Sequence, residues 1–388
     1  MNQYTLIATT PFGLEAVVKR ELTHLGFSSM QVENGIIRFL GTKRDIVRCN
    51  IWLRSADRVY IEITKFKATT FDQLYDEIKR VHWQNYIDKD GKILLDAISV
   101  KSKLYSLRDI QKISKKAIAD RLMFFQKANW LSEKGALYRV RVTIHKDFVT
   151  VWLDSSGDGL HKRGYRVQTV EAPLKETLAA ALIQLSFWNP SRFLYDVFCG
   201  SGTIPIEAAL MAKNIAPGLT RDFAFNNWSL IPQDVIKDVK KEAYQGIKHD
   251  VKQMIYASDI NTRNLEAAKQ NAIEAGVDDI IQFSVRDFRE VDYQRPYAVL
   301  ITNPPYGERL LQEREVIDLT KDMKKIFSQL HTWNLNVFTS MKQFEKLFKT
   351  ADRRRKIYNG RIESWYYQYK GPKPPAKESN NETKTKLD

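Results

Sequence analysis

Cysteine is nearly absent: Cys49 and Cys199 are the only two in 388 residues, and they lie far apart. That scarcity argues against a disulfide framework and fits a reducing compartment, the cytoplasm. The six histidines are scattered, with no paired spacing to either thiol, so no structural zinc site and no metal are expected. No apolar run approaches the roughly 18 residues of a spanning helix, and no membrane association is expected. The opening "MNQYTLIATTPFGLEAVVKREL" has no basic stretch ahead of its apolar part, so it does not read as a secretory signal. Internal repeats at solenoid periods are also missing. Acidic residues fall short as well. Against 61 Lys and Arg stand 46 Asp and Glu, a formal charge of +15, which favours a polyanionic partner such as nucleic acid.

The length suits two or three domains. Residues 1–65 read as a small α+β unit, with strands "YTLIAT", "GIIRFL" and "RVYIEITKFKA" around two amphipathic helices. Residues 66–156 form a second unit, in which the long helix "KLYSLRDIQKISKKAIADRLMFF" precedes two alternating strands. The outer face of that helix carries Arg108, Lys112, Lys115 and Lys116, a solvated face and a candidate RNA contact. Residues 157–171 read as a linker. Within its "GDGLHKRGYRV", Lys162, Arg163 and Arg166 could reach phosphates. From 172 to 370 helices alternate with apolar strands, which predicts a parallel sheet, closed by a hairpin at Asn359-Gly360. The tail, 371–388, is polar and rich in Pro, Lys and Glu, so disorder is expected there.

Four strand ends of the last unit carry chemistry. In "DVFCGSGTIPIEAA", Asp196, Phe198, Gly200, Gly202 and Thr203 form a strand-to-helix glycine turn. Small residues let the backbone approach a ligand, and the helix start offers free amides, although a plain tight turn reads the same way. A dinucleotide would want a third glycine where Pro205 stands, and an acid about 20 residues on; the next strand-end acid is the more distant Asp259. A smaller nucleoside cofactor suits the spacing better. Asp259, followed by Ile260, can accept from ribose hydroxyls. Asp287 can accept from an adenine amine, with Phe288 beside the ring. Each acid alone also reads as a helix cap or turn former.

The fourth end is "VLITNPPYGERL", where Asn303-Pro304-Pro305-Tyr306 stops an apolar strand. The lone pair of a base amine is conjugated away. If the Asn303 oxygen and the Pro304 carbonyl accept its two N–H groups, the nitrogen is oriented toward an electrophile as charge develops. The prolines hold these acceptors rigidly, Tyr306 offers a stacking face, and Gly307 permits close approach. Cys199 reads as part of the glycine turn and not as a nucleophile.

Together these ends have the pattern of class I S-adenosylmethionine-dependent methyltransferases, a Rossmann-like fold. The whole chain to about residue 370 resembles the THUMP-domain RNA methyltransferases, and is close to the methyltransferase half of the bacterial large-subunit rRNA guanine-N2 methyltransferase L family. The markers are "TTPFGLEAVVKREL", "KSKLYSLRDIQKISKKAIADRL" and "SSGDGLHKRGYR". The resemblance implies a ferredoxin-like unit and a THUMP domain before the catalytic domain. It implies that Pro173, Leu174 and Thr177 of "EAPLKETLAAAL" line the methionine end of S-adenosylmethionine, with Glu207 near it. It further implies that Asp196 supports the glycine loop, with Asn303 also at the cofactor. Fused members of that family carry a second methyltransferase domain; none is encoded here, and one activity is expected. The expected reaction is methylation of guanine N2, in 23S rRNA before tRNA. A DNA adenine-N6 methyltransferase, a protein glutamine methyltransferase and a non-catalytic RNA chaperone are the other readings. A monomer is the default expectation.

Overall fold

The computed structural model describes residues 3–168, 173–252, 254–305, 313–360 and 362–375. The amino-terminal half begins with β1 (Tyr4–Thr9), α1 (Glu15–His24), β2 (Met30–Glu33) and β3 (Ile36–Gly41). It continues with α2 (Lys43–Trp52), β4 (Arg58–Lys67), α3 (Phe71–Arg80) and β5 (Lys92–Val100). It ends with α4 (Leu107–Gln126), β6 (Leu137–His145) and β7 (Phe148–Asp154). Local chemistry sets the boundaries. A reciprocal capping box starts α2: the Asp45 amide donates to Thr42 Oγ1 at 3.3 Å and the Thr42 amide to Asp45 Oδ2 at 2.9 Å. In α4, Ile110, Ser114, Ala117, Ile118 and Leu122 recur at helical spacing and are buried. Strand β6 buries Tyr138, Val140, Val142 and Ile144 alternately.

The two expected amino-terminal units share one seven-stranded sheet, ordered β2-β3-β1-β4-β7-β6-β5. Strand β4 crosses the expected boundary at residue 65, pairing with β1 through Arg58–Ile61 and with β7 along most of its length. The sequence reading also lacked β2, which is largely exposed and so shows no alternating apolar signal.

The carboxyl-terminal half comprises α5 (Glu176–Leu185), β8 (Leu194–Asp196), α6 (Thr203–Ala212), α7 (Gln233–Gln245), β9 (Ile255–Asp259) and α8 (Thr262–Glu274). Then come β10 (Ile281–Val285), β11 (Val299–Thr302), α9 (Glu313–Phe327), β12 (Asn334–Thr339), β13 (Arg353–Asn359) and β14 (Ile362–Tyr369). Its sheet order is β10-β9-β8-β11-β12-β14-β13. The first five are parallel, and β14 runs antiparallel to both its neighbours. The order reverses between β8 and β11, the topological switch point at whose carboxyl edge ligands bind in such sheets. The expected hairpin is β13–β14.

One segment between α6 and β9 had no clear reading in the sequence. It leaves the catalytic sheet and completes the amino-terminal core. Phe223, Phe225, Trp228, Leu230, Ile236 and Val239 are buried with the residues of that half. The Trp228 ring stacks on Tyr138 at 5.0 Å, and its Nε1 donates to the Leu137 carbonyl at 3.2 Å. The Gly218 amide donates to the Ile51 carbonyl at 2.9 Å, and a Cβ on Gly218 would lie 2.8 Å from the Asn50 carbonyl oxygen. Only glycine permits that approach.

Candidate active site

Parallel pairing brings Asp196, Asp259 and Thr302 to one edge of the sheet, with Asn303 next in the chain. Strand β8 is short because Val197 to Gly202 must turn into α6. Gly200 and Gly202 take φ of 54° and 81°, the left-handed region. A Cβ on Gly202 would sit 3.0 Å from the Ala268 Cβ, so the turn packs directly on α8. Helix α6 has no side-chain cap, which leaves amides of its first turn free. Pro205 lies in that turn, where a missing N–H costs little.

The acids brace this edge. Asp196 is 1% exposed; its Oδ1 accepts from Thr302 Oγ1 at 2.7 Å and from the Phe198 amide at 3.3 Å. Burial, with the Asp259 charge adding to it, pushes the Asp196 carboxyl up to about 7 against the pull of those two donors. Asp259 Oδ2 accepts from the Gly200 amide at 2.9 Å, and Oδ1 from the Asn261 amide at 2.9 Å and Asn264 Nδ2 at 3.3 Å. A carboxylate offers about four lone-pair sites, so with three filled acceptor capacity remains for about one hydroxyl. Ile260 beside it is 70% exposed, an apolar face on the ligand edge. Asp287 accepts from the Arg289 amide at 2.9 Å, a local cap. Phe288 is 3% exposed and packs on Phe198, with ring centroids 5.1 Å apart.

Asn303 is the most informative residue. Its Oδ1 is buried and has no hydrogen-bond partner among the described residues. An orphaned buried acceptor costs about 1–3 kcal/mol, so the fold keeps it at a cost. Pro304 and Pro305 follow; Tyr306, like Gly307 and the far tail, lies outside the described residues. Burial pushes the Cys199 thiol well above its ordinary range, so it is not activated as a nucleophile.

Several expected roles require correction. Arg163 does not reach phosphate. It is 4% exposed, and its guanidinium bonds Glu207 at 3.2 Å and the Leu160 carbonyl at 2.6 Å. Glu207 is fully buried and also accepts from Tyr165 Oη at 3.2 Å, so its carboxylate is engaged within the protein. Two buried charges need such pairing, and that need places both side chains. Arg166 is likewise turned inward, onto Glu176. Of the other expected RNA contacts, Lys115 pairs with Glu133 at 2.9 Å and Lys162 with Asp158 at 3.3 Å, while Arg108, Lys112 and Lys116 face solvent. Pro173 is exposed, whereas Leu174 and Thr177 are buried at the start of α5.

The sequence reading missed Thr302 and Asn271. Asn271 is fully buried in α8 and bonds the Ser201 carbonyl at 3.1 Å. An amide within the apolar stripe of "NLEAAKQNAIEAG" was the available signal.

The strand order, the glycine turn and the acids at the sheet's carboxyl edge define a class I methyltransferase, whose cofactor is S-adenosylmethionine. The free amides of α6, the remaining acceptor capacity of Asp259 and the exposed Ile260 fit that cofactor. Family models extend the assignment across the chain: an RlmL ferredoxin-like domain matches residues 5–60, a THUMP domain 68–154, and an RMKL-like methyltransferase domain 163–368. The chain belongs to the RMKL-like methyltransferase family.

Its relatives include a Bacillus subtilis (strain 168) protein named "Putative RNA methyltransferase YpsC", 45% identical over 98% of this chain and 100% of that one. The Ribosomal RNA large subunit methyltransferase K/L of Psychromonas ingrahamii is 35% identical over 95% of this chain. The match spans 50% of that longer protein. Among solved structures, SMU.472 complexed with SAH superposes with a TM-score of 0.91 at 39% identity, covering 96% of this chain and 100% of that one. Among the described residues, no helix is long and apolar enough to cross a membrane.

Proposed function

We propose that this methyltransferase acts on the exocyclic N2 amine of a guanine in RNA, with 23S rRNA as the substrate. The observation that carries the reading is the buried Oδ1 of Asn303 at the end of β11, unpartnered among the described residues. A buried acceptor left without a partner among the described residues, beside a proline that fixes the next carbonyl, suits a planar amine with two N–H groups. When bound, the cofactor supplies an electrophilic methyl group on a positively charged sulfur. Asn303 Oδ1 and the Pro304 carbonyl accept the two amine hydrogens, hold the nitrogen in line and stabilise the charge that develops on it. Such a target must leave its helix, and Tyr306 supplies a face on which the extruded base stacks.

The RNA assignment is supported by the THUMP match, the formal charge of +15 and the exposed Arg108, Lys112 and Lys116 on α4. The rRNA assignment is supported by the K/L relatives.

The test incubates the protein with isotopically labelled S-adenosylmethionine and total RNA from a strain lacking the gene. The RNA is fractionated, digested and read by mass spectrometry. Label in N2-methylguanosine of the 23S fraction is the expected result. Label in tRNA would move the target to that RNA. Label in methyladenosine, or none in any RNA, would overturn the guanine assignment.

A further inference from the structure

Arg163 and Arg166 of the basic linker motif turn inward, while Lys162 stays exposed. The guanidinium of Arg166 bonds four groups from two separate stretches: Glu176 Oε1 at 2.7 Å, Ser201 Oγ at 2.9 Å, and the Leu174 carbonyl and Thr203 Oγ1, each at 3.0 Å. Leu174 and Glu176 belong to the start of α5; Ser201 and Thr203 belong to the glycine turn. The amides of Val167 and Gln168 then both donate to Asn271 Oδ1 at 3.1 Å. Asn271 Nδ2 in turn donates to the carbonyls of Gln168 and Ser201, each at 3.1 Å. Three residues upstream, Arg163 is locked to Glu207 of α6. Residues 163–168 therefore form a strap stitched along the outer side of the glycine turn.

A planar fork with five donors can bridge four acceptors at fixed angles, and an ammonium cannot. Ser201 and Thr203 are 3% and 4% exposed, so these bonds are shielded from water and stronger for it. We infer that Arg166 is a positioning residue of the cofactor site. Its guanidinium is taken up by protein groups of the two stretches. It fixes the separation between the glycine turn and the α5 start, the two stretches that embrace the cofactor in the proposed site, and the inference rests on that reading.

The test uses the full chain carrying Arg166→Lys or Arg166→Gln. Calorimetry gives Kd for S-adenosylhomocysteine, and steady-state kinetics give kcat and both KM values. Loss of charge-assisted hydrogen bonds of this kind predicts a rise of about 10-fold to 100-fold in cofactor Kd and KM. The kcat at saturating cofactor and the KM for RNA stay near wild type, and Lys impairs less than Gln. If neither variant folds, Ser201→Ala, which removes one of the four acceptors, still raises the Kd several-fold. A folded Arg166→Gln protein with wild-type Kd overturns the inference. So does weakened RNA binding with unchanged cofactor affinity, which would restore the phosphate-contact role. Asp259→Asn is the reference: if it loses cofactor while the Arg166 variants do not, the strap has no role and the cofactor site stands. If neither change matters, the cofactor site itself is misplaced.

Discussion

Replacing Asp196 with asparagine should reshape the pH dependence of stability. The carboxyl is 1% exposed and pushed up to about 7 in the folded chain, against an ordinary 3.8. The folded state therefore holds this proton more tightly than the unfolded state does. Its contribution is fully present below about pH 4 and is lost as pH rises toward 7. At about 1.4 kcal/mol per unit, the three-unit gap sets a ceiling of about 4 kcal/mol. The substituted amide would keep an oxygen acceptor for the Thr302 hydroxyl and the Phe198 amide but would never ionise. Urea denaturation of both proteins without cofactor, at pH 5 and pH 8, reads the difference. Every other titrating group is common to the two proteins, so the difference isolates this position. The wild type should lose ground to Asp196→Asn between the two values, through a shift in midpoint without a change in slope. Parallel pH profiles would refute the assignment of a raised, buried carboxyl at this strand end.

Asn303→Ala should reduce methyl transfer by about 10²–10³-fold, by analogy with removal of one preorganised polar group. Its stability should not fall, because the lost Oδ1 has no partner among the described residues; denaturation and activity on one preparation check both. Gly202→Ala forces a side chain onto φ 81° and against Ala268, and should cost about 1–3 kcal/mol together with cofactor binding. Thermal unfolding with and without S-adenosylhomocysteine measures it. Trp228→Ala should cost about 3–5 kcal/mol, read as a lower urea midpoint, because the ring fills the amino-terminal core.

The parallel sheet and its glycine turn were legible because a buried parallel strand followed by a helix writes a strong pattern in "FLYDVFCGSGT" and "MIYASD". Four chemistry-bearing strand ends could be ordered without coordinates, since parallel pairing leaves them at one edge. What failed was the assignment of long-range partners. Arg163 and Arg166 look like phosphate hooks in a basic string. Several of their acceptors, Glu207, Ser201 and Thr203, lie more than 30 residues away, and no local spacing signals such pairing. Strand β2 was invisible for the opposite reason, since an exposed edge strand needs no apolar alternation. The segment containing α7 could be read as a helix-bearing insertion at best, because the surface it covers belongs to the other half of the chain.

That insertion bears on how the protein is made. The amino-terminal sheet ends at Asp154, yet its core needs Phe225, Trp228 and Val239, and α7 ends only at Gln245. At about 5–20 residues per second, the ribosome adds those last ninety or so residues in roughly 5–20 s. Through that interval the first seven strands wait with a groove of apolar surface uncovered, and Tyr138 without its stacking partner. The emerging chain thus passes through a stage at which more than a third of it is synthesised and cannot close. A fragment cut after the sheet would be held at that stage permanently, a half-built domain with its sealing piece encoded in the enzyme behind it.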